Sequence, residues 1–303
     1  MNLFDVIIIG GGPAGLNAAV VLGRCKRKVL VFDHRQQRNR YSHGMHNFLT
    51  RDDIPPAEFL KICHQELKKY GVKIIYSEVK DAKKKMDETY IIKDRNDKVY
   101  VSKKLILATG LADRLPDIQG IKQFYGKSIF HCPYCDGWEA SNKKIGVFAK
   151  TKAGIDLALT LSLWSKQVTL YTDGSKYLRK ENKTLLEKKN ISIIYTTIAS
   201  FEGSRQQLKN IVFTNGKKAG CDALFFSNGY DVQSTLVESL GCIIDKNKVV
   251  ITNKSQQTNI HGLYVAGDAS KDMHFVVVAA AEGAKAGVYV NKELIEDENK
   301  KLF

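Results

Sequence analysis

The chain opens with a short apolar run, a glycine-rich turn and a segment of helical spacing. The run at 6–9 is continuous and β-branched, the apolar residues at 18–22 recur with the period of a helix, and a second apolar run fills 29–32. A buried parallel strand reads as a continuous apolar run rather than as an alternating one. This order therefore predicts a strand, a helix and a second, parallel strand.

The same order returns in the middle of the chain, with a strand at 144–148, a helix at 155–164 and a strand at 167–171. Near the C-terminus, 262–268 reads as a buried strand that ends in Gly-Asp, and an alanine-rich helix is predicted over 276–290. Repeated units of this kind predict an α/β protein with two dinucleotide-type domains. We expect the C-terminal block to complete the first of them.

Composition places the chain among ordinary globular proteins, with 44% hydrophobic and 26% charged residues in 303. This length allows two domains with separate cores. No apolar run approaches the roughly 18 residues of a membrane-spanning helix, and the first residues lack the basic segment of a signal peptide. We therefore expect a cytoplasmic protein without a membrane anchor, and a charged terminal segment at 293–303.

The net charge is strongly positive, because 47 Lys and Arg stand against 32 Asp and Glu and leave +15. The lysines are spread along the chain, and the cluster at 83–85 lies between Asp81 and Asp87. The aromatic residues and arginines that read nucleic acid do not accompany them. A solvated lysine surface is the simplest interpretation. No nucleic acid partner is expected, and a protein partner would be acidic.

A G-x-G-x-x-G sequence lies between the first strand and the first helix, which is the context that gives this motif its meaning. Its glycines allow a tight turn, a close approach of the backbone to a diphosphate, and close packing of helix on strand. The helix N-terminus adds N–H groups and a partial positive charge. Asp33 lies eighteen residues after Gly15, and its carboxylate suits a hydrogen bond with a ribose hydroxyl. The candidate phosphate-binding residues are Gly10, Gly12, Pro13, Ala14 and Gly15.

Six cysteines include one pair spaced as C-x-x-C, Cys132-Pro-Tyr-Cys135. A structural zinc site needs a second pair of ligands at the right spacing, and none follows, so we predict no metal. Two such thiols can close and reopen a disulfide, and a helix start at the first of them lowers its pKa. The sequence Cys-Pro-Tyr-Cys also matches the glutaredoxins, but a glutaredoxin carries this pair in a much shorter domain. The other four are interpreted as buried small hydrophobes: Cys25, Cys63, Cys221 and Cys242.

Two strand-closing turns, Ala-Thr-Gly at 108–110 and Gly-Asp at 267–268, resemble those of two-domain, FAD-containing pyridine-nucleotide disulfide reductases. The resemblance implies that the Asp268 carboxylate binds the ribityl chain of FAD. It also implies that the helix over 274–281 directs its N-terminus at the flavin, where a positive helix end stabilises anionic reduced flavin. The candidate FAD residues that it adds are Asn47, Ala108, Thr109, Gly110, Gly267, Asp268, Val276 and Val277.

The cysteine pair followed by Asp-Gly resembles the low-molecular-weight thioredoxin reductases, and this resemblance spans almost the whole chain. It implies two Rossmann-like dinucleotide-binding domains of three ββα layers, the second inserted into the first. We predict an FAD domain over 1–113 and 232–303, and an inserted NAD(P)H-type domain with the cysteine pair over 114–231. The resemblance further implies a homodimer that acts on a thioredoxin-like partner.

The resemblance also assigns roles within the pair. Cys135 faces the flavin, Cys132 attacks the substrate disulfide, and Asp136 donates and accepts the proton. Exchange between a dithiol and a flavin moves a proton in each half-cycle, and a carboxyl whose pKa is raised by burial could carry it. A helix cap is the structural alternative for Asp136.

The second strand–helix–strand unit departs from the reductase pattern. Ala149 and Thr151 stand at two of the three glycine positions, and their side chains would crowd a diphosphate. Lys150 and Lys152 could offset part of that loss through their charge. Asp173 stands where basic residues would grip the 2′-phosphate of NADPH, and its carboxylate would repel it. The sequence therefore argues against NADPH and leaves NADH open.

Two relatives of these reductases resemble the chain in flavin domain and cysteine pair. One class takes electrons from an acidic iron–sulfur protein of the ferredoxin type. The other, the dithiol oxidases, closes a disulfide in a small molecule and passes the electrons to oxygen. The segment 39–49 and the Cys-Pro-Tyr-Cys pair followed by Trp138-Glu139 look closer to the oxidases, which usually have histidine at the position of Asp136. His43 and His46 are candidate proton donors or structural residues. A basic binding module that merely retains a flavin is the remaining alternative.

Overall fold

The computed structural model describes residues 3–246, 249–270 and 273–300. The elements in chain order are β1 (Leu3–Ile9), α1 (Pro13–Arg24), β2 (Val29–Phe32), α2 (Pro56–Lys68), β3 (Lys73–Ile75), β4 (Val79–Lys84), β5 (Tyr90–Asp94), β6 (Val99–Leu107), β7 (Leu111–Asp113), α3 (Ile121–Phe124), β8 (Ile129–Phe130), α4 (Pro133–Asp136), β9 (Ile145–Phe148), α5 (Ala153–Leu161), β10 (Val168–Tyr171), α6 (Lys180–Lys188), β11 (Ser192–Ile194), β12 (Ile198–Ser204), β13 (Gln207–Phe213), β14 (Lys218–Gly220), β15 (Ala223–Phe226), β16 (Tyr230–Val232), α7 (Leu236–Ser239), β17 (Leu263–Val265) and α8 (Val276–Lys300).

The chain divides into two compact units. The first comprises 1–40, 47–112 and 231–303, and the second comprises 41–46 and 113–230. The expected division put 41–46 in the FAD domain, and here the structure differs. Tyr41 packs edge-to-face on Tyr125, and a Cβ on Gly126 would stand 2.8 Å from the Tyr41 Cβ, so this short segment packs within the second unit.

The first unit is built on a sheet in the order β3-β2-β1-β6-β5-β4. The strands β1, β2, β3, β6 and β17 run parallel, whereas β4 and β5 form an antiparallel hairpin. The long strand β6 pairs with β5 through its first half and with β17 through its second half. A strand of nine residues is therefore needed to carry both neighbours.

Side chains of β1 alternate between two cores, as successive residues of a strand must. Val6 and Ile8 pack in the core that α1 and α8 cover, whereas Ile7 and Ile9 pack in the core on the side of the β4–β5 hairpin. The unit thus has a helical layer, a parallel sheet and a β layer.

The second unit repeats this plan. Its sheet follows the order β11-β10-β9-β15-β8 with parallel pairing, and β12, β13 and β14 form an antiparallel meander. One core contains residues of α5 and α6, and another contains the meander. The predicted mid-chain helix begins two residues earlier and ends three residues earlier than expected, at Ala153 and Leu161.

The C-terminal helix is longer than the predicted 276–290, since α8 continues through the charged segment to Lys300. Leu294 is buried, and Glu293 is held by the buried Lys104, whose Nζ lies 2.6 Å from its Oε1. Because these two residues are far apart in sequence, the charge pattern of the C-terminal segment alone cannot predict their ion pair. Residues 301–303 lie outside the described residues. None of the helices in the described ranges is long and apolar enough to cross a membrane.

Candidate active site

The glycines of the first loop have different structural roles. A Cβ on Gly10, whose φ is 120°, would stand 2.0 Å from the carbonyl oxygen of Ala108. A Cβ on Gly15 would stand 1.9 Å from the carbonyl oxygen of Gly10. By contrast, a Cβ on Gly12 would meet no atom within 4 Å. Gly10 and Gly15 thus allow close packing, and Gly12 leaves open space at the start of α1.

That open space suits a diphosphate. Gly12 is the N-cap of α1 and supplies no side-chain cap, Pro13 and Ala14 begin the helix, and its first turn holds no acidic residue. The N–H groups and positive end of α1 are therefore not neutralised by the helix's own side chains.

The structure brings three predicted FAD-binding segments together. Gly10 packs on Ala108, and the Gly267 position, with φ 82°, would place a Cβ 2.9 Å from the Cβ of Ala14. Beside Ala108, the Thr109 hydroxyl is buried with no hydrogen-bond partner among the described residues, as expected of a group that a ligand would satisfy. These residues fit FAD, which would lie along the loop, the 108–110 turn and Asp268.

Asp33 lies at the end of β2 and is buried against this loop, since a Cβ on Gly11 would stand 2.3 Å from its Cγ. Its Oδ1 accepts hydrogen bonds from the Arg35 N–H at 2.7 Å and from the Gln37 Nε2 at 2.9 Å. The carboxylate is thus held in place beside the loop. Its predicted role on a ribose hydroxyl stays a prediction.

The other predicted FAD residues lie in two places. Val276 and Val277 are the first residues of α8, and their predicted role in FAD binding stays a prediction. Asn47 lies on an exposed loop with φ 63°, and its N–H donates to the Asp52 Oδ1 at 2.9 Å.

Cys132 and Cys135 form a disulfide at the start of α4, with 5.3 Å between their Cα atoms. Cys132 is the N-cap, and its Sγ accepts the backbone N–H of Cys135 at 3.1 Å. A backbone donor aimed at this sulfur stabilises a thiolate there once the disulfide opens. The geometry therefore favours Cys132 as the attacking sulfur.

Asp136 ends α4 directly after the pair. Burial raises the pKa of its carboxyl to about 7; the His46 imidazole opposes that rise and the Glu139 carboxylate adds to it. His46 Nε2 lies 3.6 Å from Glu139 Oε1. A carboxyl with this pKa exists in both protonation states near neutral pH, which suits a proton donor and acceptor.

His43 is less suited to donate a proton. Its Nδ1 lies 3.4 Å from the Lys127 Nζ, and burial together with this ammonium lowers the pKa of the imidazole. His43 is therefore mainly neutral near pH 7. His46, beside Asp136 and Glu139, is the better placed of the two candidates.

Exposed aromatic side chains lie next to the cysteine pair in the chain, and their exposure was not predicted. Tyr134 is 61% exposed and Trp138 is 78% exposed. The Trp164 ring meets Tyr134 edge-to-face at 6.3 Å, and a Cβ on Gly137 would stand 3.0 Å from the same ring. The signal in the sequence was an aromatic residue inside the C-x-x-C and another three residues after it.

The second loop carries a buried side chain at the position that matches Gly10 of the first. Ala149 is fully buried, and a Cβ on Gly154 would stand 2.4 Å from its Cβ. The Lys150 ammonium, expected to offset lost phosphate contacts, instead pairs with Asp173 at 2.7 Å. The other oxygen of Asp173 accepts the Ile198 N–H at 2.8 Å. Lys150 of the loop and the Asp173 carboxylate therefore form an ion pair with each other.

The prediction for the four scattered cysteines is wrong at one position. Cys221 and Cys242 are buried and Cys63 is half-buried, and burial raises the pKa of the Cys63 thiol to about 11. Cys25, however, is exposed, because it caps the C-terminus of α1. It offers a surface thiol for comparison with the redox pair.

Known proteins share this architecture. The family model described as pyridine nucleotide-disulphide oxidoreductase matches residues 4–283. Thioredoxin reductase tcpT of Claviceps purpurea (strain 20.1) is 31% identical over 98% of this chain and 96% of its own. The "34.2 kDa protein in rubredoxin operon" of Clostridium pasteurianum is 28% identical over 95% and 96%. The crystal structure of an oxidoreductase from Agrobacterium tumefaciens superposes with a TM-score of 0.90 at 30% identity, over 97% and 99%. The predicted fold class is confirmed.

Proposed function

The chain belongs to the pyridine nucleotide-disulphide oxidoreductase family, as an enzyme of the thioredoxin reductase-like class, and from that premise we propose that it reduces a disulfide of a thioredoxin-like protein through Cys132 and Cys135. The family implies FAD as its cofactor, bound by the first unit. We propose a ferredoxin-like protein rather than NADPH as the electron donor. The observation that carries the proposal is the Cys132–Cys135 disulfide at a helix start, followed by a carboxyl tuned to neutral pH.

The exchange begins with the pair reduced. The Cys132 thiolate attacks one sulfur of the partner's disulfide, so a mixed disulfide forms and the partner's other sulfur leaves as a thiolate. Cys135 then attacks the Cys132 sulfur, which closes the pair and releases the partner's second sulfur. The partner gains two electrons and two protons, and the pair is oxidised. FAD, when bound, supplies the two electrons that reopen the pair.

Asp136 moves the proton in this scheme. Its carboxyl follows Cys135 directly and exists in both protonation states near pH 7. It accepts a proton as a thiolate is generated and returns it as a leaving thiolate departs. His46 and Glu139 lie beside it and modulate its pKa through their charges.

Two features support a protein partner. Exposed Tyr134 and Trp138 provide a large apolar contact area next to the pair, as residues that anchor protein interfaces do. The net charge of +15 favours an acidic partner, both as electron acceptor and as a ferredoxin-like donor. Among the relatives, tcpT is described as a thioredoxin reductase, and the Clostridium protein is described by its place in a rubredoxin operon.

The assignment of the pair is tested by single-turnover reduction. Holoprotein is reduced anaerobically with dithionite, freed of excess reductant and mixed with oxidised thioredoxin, and new thiols are counted. We expect thioredoxin thiols from the wild type and from Cys25→Ser, whose sulfur is exposed but not in the pair. Cys132→Ser should yield none while keeping its flavin spectrum. Full thiol release by Cys132→Ser would remove Cys132 from the mechanism.

A dithiol oxidase is the second candidate. The segment 41–46 belongs to the unit that holds the cysteine pair, and its His46 interacts with Asp136. An oxidase consumes oxygen with a small dithiol such as dithiothreitol and does not transfer electrons to thioredoxin. Oxygen uptake on dithiol addition, measured beside thioredoxin reduction, separates the two. A flavin-retaining binding module would show neither activity.

We also propose that the protein is a cytoplasmic homodimer. Light scattering of the holoprotein measures whether it is a dimer.

A further inference from the structure

The segment after β2 folds back over the glycine loop. Gln37 Nε2 donates to Asp33 and lies 3.5 Å from the carbonyl oxygen of Gly11. Arg40 donates to the carbonyl oxygens of Gln36 and Gln37, at 3.2 and 3.0 Å. These contacts fix the backbone on both sides of Arg38 beside the loop.

The Arg38 guanidinium is directed at Asp268. Its Nη1 lies 3.3 Å from the Asp268 Oδ2, and the two side chains are 14% and 17% exposed. Asp268 follows Gly267, whose position packs on Ala14 in the first turn of α1. Gln37 thus contacts the glycine loop, and Arg38 next to it in sequence contacts the carboxylate that follows Gly267, which packs on the first turn of α1.

The start of α1 needs a positive side chain if it binds a diphosphate. FAD carries two negative charges on its diphosphate, and residues 10–15 contain no cationic side chain. The helix N-terminus supplies only partial charge. Arginine has five N–H donors in a rigid fork, so one guanidinium can hold a carboxylate and a phosphate oxygen together.

We propose that Arg38 is a further FAD-binding residue, which bridges the Asp268 carboxylate to the diphosphate of the cofactor. The inference rests on the FAD-binding part of the proposed function and is independent of the thiol chemistry and of the electron donor. By sequence alone Arg38 is one of three arginines at 35–40 and does not stand out. Its place near the loop comes from the fold.

The test measures release of FAD from the holoprotein by flavin fluorescence on dilution, which requires no turnover. A charge-assisted hydrogen bond to a buried site contributes about 1.5–3 kcal/mol, so Arg38→Gln should bind FAD about 10- to 100-fold more weakly. Arg38→Lys should recover part of that loss. Arg35→Gln is the matched control, because Arg35 is exposed and stacks on Tyr76 at 3.8 Å. It should stay within about twofold of the wild type.

A double-mutant cycle separates phosphate binding from a role in orienting Asp268. In the Asp268→Asn background, Arg38→Gln should still weaken FAD binding and should still reduce its salt dependence. If Arg38 acts only through Asp268, the second substitution will change neither, and that result overturns the proposal. FAD affinity of Arg38→Gln equal to that of Arg35→Gln overturns it as well. Far-UV circular dichroism verifies folding, and if Arg38→Gln fails to fold, weaker FAD binding by Arg38→Lys supports the proposal and wild-type affinity contradicts it.

Discussion

The two units use the same strand–turn–helix plan, and their loops differ at a few atoms. In the loop 10–15, Gly12 faces open space at the helix start. In the loop 149–154, Ala149 is buried and its Cβ occupies the space beside Gly154. Both helices still pack on their parallel strands. The apolar pattern thus preserves the fold, whereas phosphate binding depends on the few positions where the backbone must be bare.

The acidic residues after the second strand of each unit extend the contrast. Asp33 lies against Gly11, and the first turn of α1 holds no acidic residue. Asp173 is held by Lys150 and by the Ile198 N–H. The Tyr177 hydroxyl near Gly154 and the Thr172 hydroxyl are buried without a hydrogen-bond partner among the described residues. The contrast therefore lies in the charged groups, since Asp173 is paired with Lys150 whereas Asp33 accepts hydrogen bonds from Arg35 and Gln37.

The largest expected effect comes from filling the open position of the first loop. Gly12 has φ −86°, which any residue adopts, so Gly12→Val should fold and yet block the diphosphate. We expect FAD affinity to fall by more than about 100-fold, in line with the roughly 3 kcal/mol cost of severe overpacking. Thr151→Val, the matched change in the second loop, should leave FAD binding unchanged. Equal FAD retention by both variants, measured by absorbance after gel filtration, would refute the contrast.

In the second unit, we expect Asp136 rather than the loop 149–154 to take part in the reaction. Because burial raises the pKa of Asp136 from 3.8 to about 7, the folded protein binds this proton more tightly than the unfolded chain does. Its contribution to the free energy of unfolding is therefore present below about pH 4 and is lost as pH rises to 7, by up to a few kcal/mol. Urea unfolding of the oxidised protein between pH 4 and 8 measures this.

Asp136→Asn should remove that part of the pH dependence and should also flatten the pH profile of thioredoxin reduction near 7. Glu202→Gln, on an exposed ion pair with Lys218, serves as the carboxylate control. A wild-type pH profile in Asp136→Asn would show that another group carries the proton.

The smallest effect is expected at the ion pair of the second loop. Lys150 is largely exposed, so Lys150→Ala should lower the free energy of unfolding by less than about 1 kcal/mol. FAD content and thioredoxin reduction should not change, because the proposed function gives this loop no part in binding FAD or in the thiol exchange. Thermal unfolding and single-turnover assays together check this. A large loss of electron transfer would mean that the second loop still binds the donor.

Much of the fold was readable from local patterns. The strands at 6–9, 29–32 and 263–265, and the helices after the two loops, follow from continuous apolar runs and helical spacing. The meander β12–β14 was missed, because half-buried antiparallel strands carry a weaker signal. The extension of α8 depends on the Lys104–Glu293 pair, which only the folded chain brings together.

The candidate site was predictable where chemistry is local in sequence. The glycine loop, Cys132, Cys135 and Asp136 lie in contiguous motifs. Arg38 and the Lys150–Asp173 pair were not predictable as contacts, since each depends on a partner brought close by tertiary structure. The tuning of Asp136 by His46 likewise joins residues ninety positions apart in sequence.

The most direct test of the contrast between the two loops is anaerobic reduction of the flavin in purified holoprotein. Flavin absorbance is followed while NADPH, NADH or dithiothreitol is added to separate samples. We predict slow or negligible bleaching with NADPH and clear bleaching with the dithiol, because Ala149 and Thr151 stand at two glycine positions of the second loop and Lys150 is paired with Asp173. Rapid and complete bleaching by NADPH would contradict this and would make the protein a conventional NADPH-dependent reductase.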